Sequence, residues 1–170
     1  MKLEGTKEFD APRAVVWSVI NDPETGWYEL VDYAAVDDCG RRINPRIVDG
    51  QVHGATAHSI GAAMWETFTY DDEGNLLTPN FYDYHVPHAL DMPPLKNGFV
   101  ESPSPFTPLG TKGMGEGGGA GIHAICAAIQ DALRERGKPI VRDSHNPYHR
   151  VWALLQRPEE SRAYVEVESR

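Results

Sequence analysis

The sequence predicts an α+β chain, a few short strands carrying packed helices. Three observations predict it. Residues 121–137 have the spacing of an amphipathic helix, residues 28–37 are rich in β-formers, and residues 87–113 form a proline-rich stretch with no periodicity.

The elements follow in chain order. Alternation over Leu3, Gly5, Lys7 and Phe9 suggests a short first strand. The stretch "DAPRAVVWSVIND", residues 10–22, then reads as a helix, with Asp10 as N-cap, Pro12 in the first turn and Val15, Val16, Val19 and Ile20 on its apolar face. "DPETG" ends it. A single strand is expected over residues 28–37, closed by the turn "DDCG". From Pro45 to Thr67 a helix carries small residues along one side: Gly50, Gly54, Ala57 and Gly61. Each helical glycine costs about 1 kcal/mol relative to alanine, so this row suggests close approach to another backbone or a bound molecule. "TYDDEGNLLTPNFYDYHV" predicts a hairpin turning at "DDEGN". The proline-rich stretch follows as a long connection, of the kind that is usually functional or lies against a partner. In the next helix Ile122, Ile125, Ile129 and Leu133 share one face, and Gly137 stops it. "NPYHRVWALLQRP" is a short terminal helix. These pieces are hard to close into one compact core, which points to a part of something larger.

Composition excludes some classes of function. Of 170 residues, 41% are hydrophobic and 24% charged, as in a soluble globular protein. A net charge of −9 argues against nucleic acid, which needs a basic footprint. No apolar stretch approaches the roughly 20 residues that span a bilayer. Two cysteines, Cys39 and Cys126, fit no metal-ligand spacing and suit a reducing cytoplasm.

The run "GTKGMGEGGGAG", residues 110–121, sets one carboxylate, Glu116, among glycines just before a helix. It contains G-x-G-x-x-G at Gly113, Gly115 and Gly118, but the preceding "SPSPFTPLGTK" is broken by proline and cannot be the central strand a dinucleotide fold requires. No G-K-[ST] closes the run, so it is not a P-loop. A glycine-rich approach to a helix N-terminus survives, in which Glu116 could serve the helix dipole alone. The histidines read as scattered surface or packing groups: His53 and His58 do not share a helical face, and His85-x-x-His88 spans a proline with no third partner evident nearby. No metal ligands are expected from this chain.

Four stretches arrive in a familiar order: "YAAVDDCGRRINP", "IVDGQVHGATAHSIGAAMWE", "YDDEGNLLTPNFYDYHVP" and "SPSPFTPLGTKGMGEGGGAGIHAICAAIQDAL". With the closing "NPYHRVWALLQ", they make residues 25–170 resemble the C-terminal part of the molybdenum-binding subunit of the xanthine oxidase family, which includes carbon monoxide dehydrogenases and aldehyde oxidoreductases. Residues 1–24 resemble instead the start of a helix-grip protein, the accessory protein that accompanies carbon monoxide dehydrogenases.

The resemblance implies a molybdenum-dependent oxidoreductase that hydroxylates an aldehyde, an N-heterocycle or a CO-like substrate with water as the oxygen source. It implies Glu116 as catalytic base. Gln51, Gly54, Lys112, Gly113, Met114, Gly115 and Gly117 would line the molybdopterin pocket, the glycines because a Cβ would collide with the cofactor. His58 stands where the family has an amide. The cofactor would be molybdenum–molybdopterin, with or without a cytosine nucleotide, shared with a larger molybdenum-binding subunit. The 2Fe–2S clusters and FAD would belong to other subunits, because two cysteines cannot hold a cluster. On this reading the chain is the small subunit of a split hydroxylase, inactive alone. The alternative is a non-catalytic assembly or binding protein of the helix-grip accessory type.

Overall fold

A computed structural model describes residues 18–22, 24–117, 121–134 and 140–157. Its first element corrects an expectation. Residues 18–22, read as the end of a helix, form strand β1 (Ser18–Asp22), antiparallel to β2 (Trp27–Leu30). Val19 and Ile20 are β-branched and favour a strand once a partner is available. The turn supplies that partner, for Gly26 takes φ +74 and reverses the chain. The first strand expected at residues 3–9 and the start of the expected helix lie outside the described residues.

The single strand expected over 28–37 is two strands in different sheets. Strand β3 (Tyr33–Asp37) leaves β2 at Val31–Asp32 and runs parallel to β4 (Leu95–Phe99), in the register Tyr33↔Leu95 to Asp37↔Phe99. Asp32 makes the break: its Oδ1 accepts from the Tyr33 amide at 2.9 Å, and its Oδ2 pairs with Lys96 on β4. Strand β4 lies inside the stretch read as structureless, because "LKNGF" carries no alternation and owes its shape to pairing with β3. The hairpin expected over residues 69–86 is not built as two strands. It shrinks to one bridge, Tyr70↔Leu76, around Gly74 at φ +85, with Asp71 Oδ1 accepting from the amides of Glu73 and Asn75. Asn80 Oδ1, accepting from the Tyr82 amide, turns the chain again where the second strand was expected.

Three helices complete the described residues: α1 (Pro45–Met64), α2 (Gly121–Ala132) and α3 (Tyr148–Gln156). Tyr28 and Leu30 from β2, Ile60, Ala63 and Met64 from α1, and Ile125 and Ile129 from α2 form the core with Leu133, and Val151 closes it from α3. The Tyr28 hydroxyl donates to the Asn146 carbonyl at 2.6 Å, and its pKa is raised by burial first and then by Tyr148 and Cys126. Helices α1 and α2 meet at Gly121, where a Cβ would stand 2.6 Å from the Tyr33 hydroxyl oxygen and 2.9 Å from Ser59 Cβ. That crossing sets where the loop before α2 lies.

Candidate functional site

Helix α1 starts cleanly: Asn44 Oδ1 accepts from the Ile47 amide at 3.3 Å, and Pro45 occupies the first turn. One stripe, Val48, Val52, Thr56, Ile60 and Ala63, is buried. An adjoining stripe, Gln51, Gly54, Ala55, His58 and Ala62, recurs at helical spacing and faces a cavity of about 620 Å³. The volume falls in the range of roughly 300–1,000 Å³ usual for small-molecule and cofactor sites.

The glycine loop covers part of that stripe. Gln51 Nε2 donates to the Gly115 carbonyl at 3.0 Å, tying α1 to a loop 64 residues away. Gly115 and Glu116 therefore line the same cavity as Gln51 and Gly54, with Ile122 from α2 beside them. Four residues predicted from sequence meet in one place. A Cβ added at Gly54 or Gly115 would meet no atom within 4 Å, so both glycines leave open space rather than fill a packed contact.

These residues do not by themselves enclose the cavity. Gln51 and Glu116 are both exposed, and the described residues make a wall rather than a closed pocket. The loop reaches α1 from outside the core, and among the described residues none lies beyond it to exclude water.

Four other predicted residues stand away from the cavity lining. Lys112 turns back to the end of β3, where its Nζ pairs with Asp38 Oδ2 at 2.8 Å and donates to Ser102 Oγ at 2.7 Å. Lys112 comes first, then Ser102 and the Gly40 amide, in holding the Asp38 carboxyl well below the usual carboxylate range. Gly113 and Met114 carry the chain from that clamp to Gly115, and the Met114 side chain folds over Gly117, where a Cβ would collide with it. Ala55, His58, Ser59, Ala62 and Ile122 line the cavity without having been predicted. Helical spacing from Gln51 and Gly54 was a sufficient signal for His58 and Ala62.

The structure also supplies the third partner that spacing did not give His85 and His88. Asp91 Oδ2 lies 3.2 Å from His85 Nε2 and 2.9 Å from His88 Nδ1.

Residues 5–93 match the family of the molybdopterin cofactor-binding domain, a span that begins inside the segment resembling the helix-grip accessory protein. The chain is similar to the carbon monoxide dehydrogenase large chain of Afipia carboxidovorans, 35% identical over 134 residues, covering 78% of this chain and 16% of that protein. It is similar to the nicotine 6-hydroxylase large subunit of Paenarthrobacter nicotinovorans, 39% identical over 142 residues, covering 79% of this chain and 17% of that protein. Among solved structures, reconstituted CO dehydrogenase from Oligotropha carboxidovorans matches with a TM-score of 0.73 and 33% identity, over 82% of this chain and 17% of that one. The chain thus spans about a sixth of the length of the relatives it matches.

Proposed function

The chain belongs to the molybdopterin cofactor-binding domain family, and from that premise we propose that it supplies the catalytic base and one wall of the cofactor pocket of a molybdenum hydroxylase. The observation that carries this reading is the Gln51–Gly115 hydrogen bond, which puts Glu116, Gln51 and two open glycines on one cavity. The remaining walls come from polypeptide beyond these residues, a larger molybdenum-binding subunit. Iron–sulfur and FAD subunits receive the electrons. The two cysteines of this chain, Cys39 and Cys126, are too few to hold a cluster in their place.

The residues fit the cofactor. Gly54 and Gly115 offer backbone with no Cβ in the way, and Gln51 keeps a second amide N–H after binding Gly115. Bound there, molybdenum–molybdopterin supplies the two-electron oxidation of the substrate. The chain's own work is to hold and move a proton. Glu116 accepts it from the oxygen nucleophile derived from water, and Gln51 fixes the loop so that the carboxylate stays in reach. Lys112 contributes from a distance by anchoring the loop's start to Asp38. Gly113, Met114 and Gly117 set the loop's path. Closure by the larger subunit excludes bulk water from around Glu116. The substrate is an aldehyde, an N-heterocycle or a CO-like molecule, chosen by the larger subunit. No helix among the described residues is long and apolar enough to cross a membrane, and we place the complex in the cytoplasm, where the two thiols stay reduced.

Glu116→Gln in the purified complex tests the reading. Turnover should fall about 10²–10⁴-fold, the usual contribution of a general base, with molybdenum content unchanged. Unchanged turnover would remove Glu116 from the chemistry.

A further inference from the structure

A second cluster lies outside this cavity. His85, His88 and Asp91 each offer one ligand atom, and these atoms lie within 4.8 Å of one another. We propose that the three side chains bind a divalent first-row transition ion of the zinc type. The site stands on its own residues and does not depend on the molybdopterin reading.

Ligand chemistry comes first. Two imidazoles and a carboxylate form a borderline donor set suited to such ions, and three protein ligands leave room for water. Geometry agrees. Metal–ligand bonds of about 2.0–2.1 Å in a tetrahedron put ligand atoms about 3.3 Å apart. His85 Nε2 and His88 Nδ1 lie 3.2 and 2.9 Å from Asp91 Oδ2, close to that spacing, and all three ligand atoms lie within 4.8 Å of one another.

The donors are also held in place. The His88 amide donates to Asp91 Oδ2 at 2.7 Å, and the Asp91 amide donates to the His88 carbonyl at 3.0 Å, closing a tight turn. Pro87 packs at Gly61 of α1, where a Cβ would collide with its ring. The His85 ring meets the Trp65 ring edge-on, with centroids 5.4 Å apart, and the His88 ring at 5.0 Å. Rings restrained in this way lose little freedom on binding an ion. An open pocket of about 530 Å³, lined by Tyr82, His85 and His88 among others, gives an ion access.

The test uses the full untagged chain, stripped of metal and titrated with Zn²⁺ by calorimetry and with Co²⁺ by visible absorption. One equivalent of Zn²⁺ should bind, and Co²⁺ should give the intense bands of a tetrahedral site. His85→Gln and His88→Gln should each weaken Zn²⁺ binding at least about tenfold, with His123→Gln unchanged. Diethyl pyrocarbonate mapping of the wild-type chain reads the same site without a variant, and Zn²⁺ should protect both His85 and His88. The proposal is overturned by the absence of stoichiometric Zn²⁺ binding, by binding that survives both substitutions, or by Zn²⁺ that leaves both rings reactive.

Discussion

Glu116 matters through what holds it. Its loop is pinned at one end by Lys112 on Asp38 and in the middle by Gln51 on Gly115. Gln51→Ala removes one exposed hydrogen bond, worth about 0.5–1.5 kcal/mol, so the fold should lose little. The complex should nevertheless retain less molybdopterin, measured by pterin fluorescence after oxidation; unchanged content would mean the loop needs no tie. The Asp38 clamp makes a pH prediction. A carboxyl held below its ordinary value stabilises the fold above the unfolded pKa of about 3.9, and that contribution is lost as the pH falls through the lowered folded value. Lys112→Ala should therefore lower the urea midpoint at neutral pH, with the gap between the two proteins narrowing as the pH falls below about 4. A constant gap across that range would contradict the clamp. In the sequence Glu116 was legible as an anomaly, a carboxylate among glycines. Lys112 was legible only as a neighbour in a motif, because its partner Asp38 lies 74 residues away.

At the scale of elements, the two glycines Gly54 and Gly121 separate packing from function. Gly121→Ala forces a Cβ against Tyr33 and Ser59 where α1, α2 and β3 meet, and should cost about 1–3 kcal/mol in urea unfolding. Gly54→Ala meets nothing within 4 Å and replaces a poor helix former, so the cofactor-free chain should gain up to about 1 kcal/mol. The assembled complex should lose cofactor. If Gly54→Ala left both properties unchanged, the space before α1 would hold nothing that needs a glycine. Helices α1 and α2 were legible because small or apolar residues recur at helical spacing in each, whereas the Asn44 cap that starts α1 shows only in the structure. The strands were less so. β1 was misread as helix because β-branched residues at helical spacing fit both patterns, and the hairpin partner decides between them. The split between β2 and β3 rests on a local Asp32 bond and a distant Lys96. β4 has no pattern of its own and exists through β3.

At the scale of the whole molecule, several large apolar side chains among the described residues stand exposed. Leu90 and Phe106, in the proline-rich stretch expected to lie against a partner, are 98% and 93% exposed, and Phe68, Tyr70, Leu77, Phe81 and Tyr82 are exposed in the turn region before it. The cavity wall is open on the side where enclosure is needed, and the matched relatives are about six times longer than the matched span. The proposed interface with a larger molybdenum-binding subunit would account for all three facts. Native mass spectrometry with molybdenum analysis, on the chain purified from its own source, tests this most directly. An assembly far heavier than 18.9 kDa that carries molybdenum and iron is the expected result. A molybdenum-free 18.9 kDa monomer would contradict it and return Glu116 to the part of a carboxylate at a helix N-terminus.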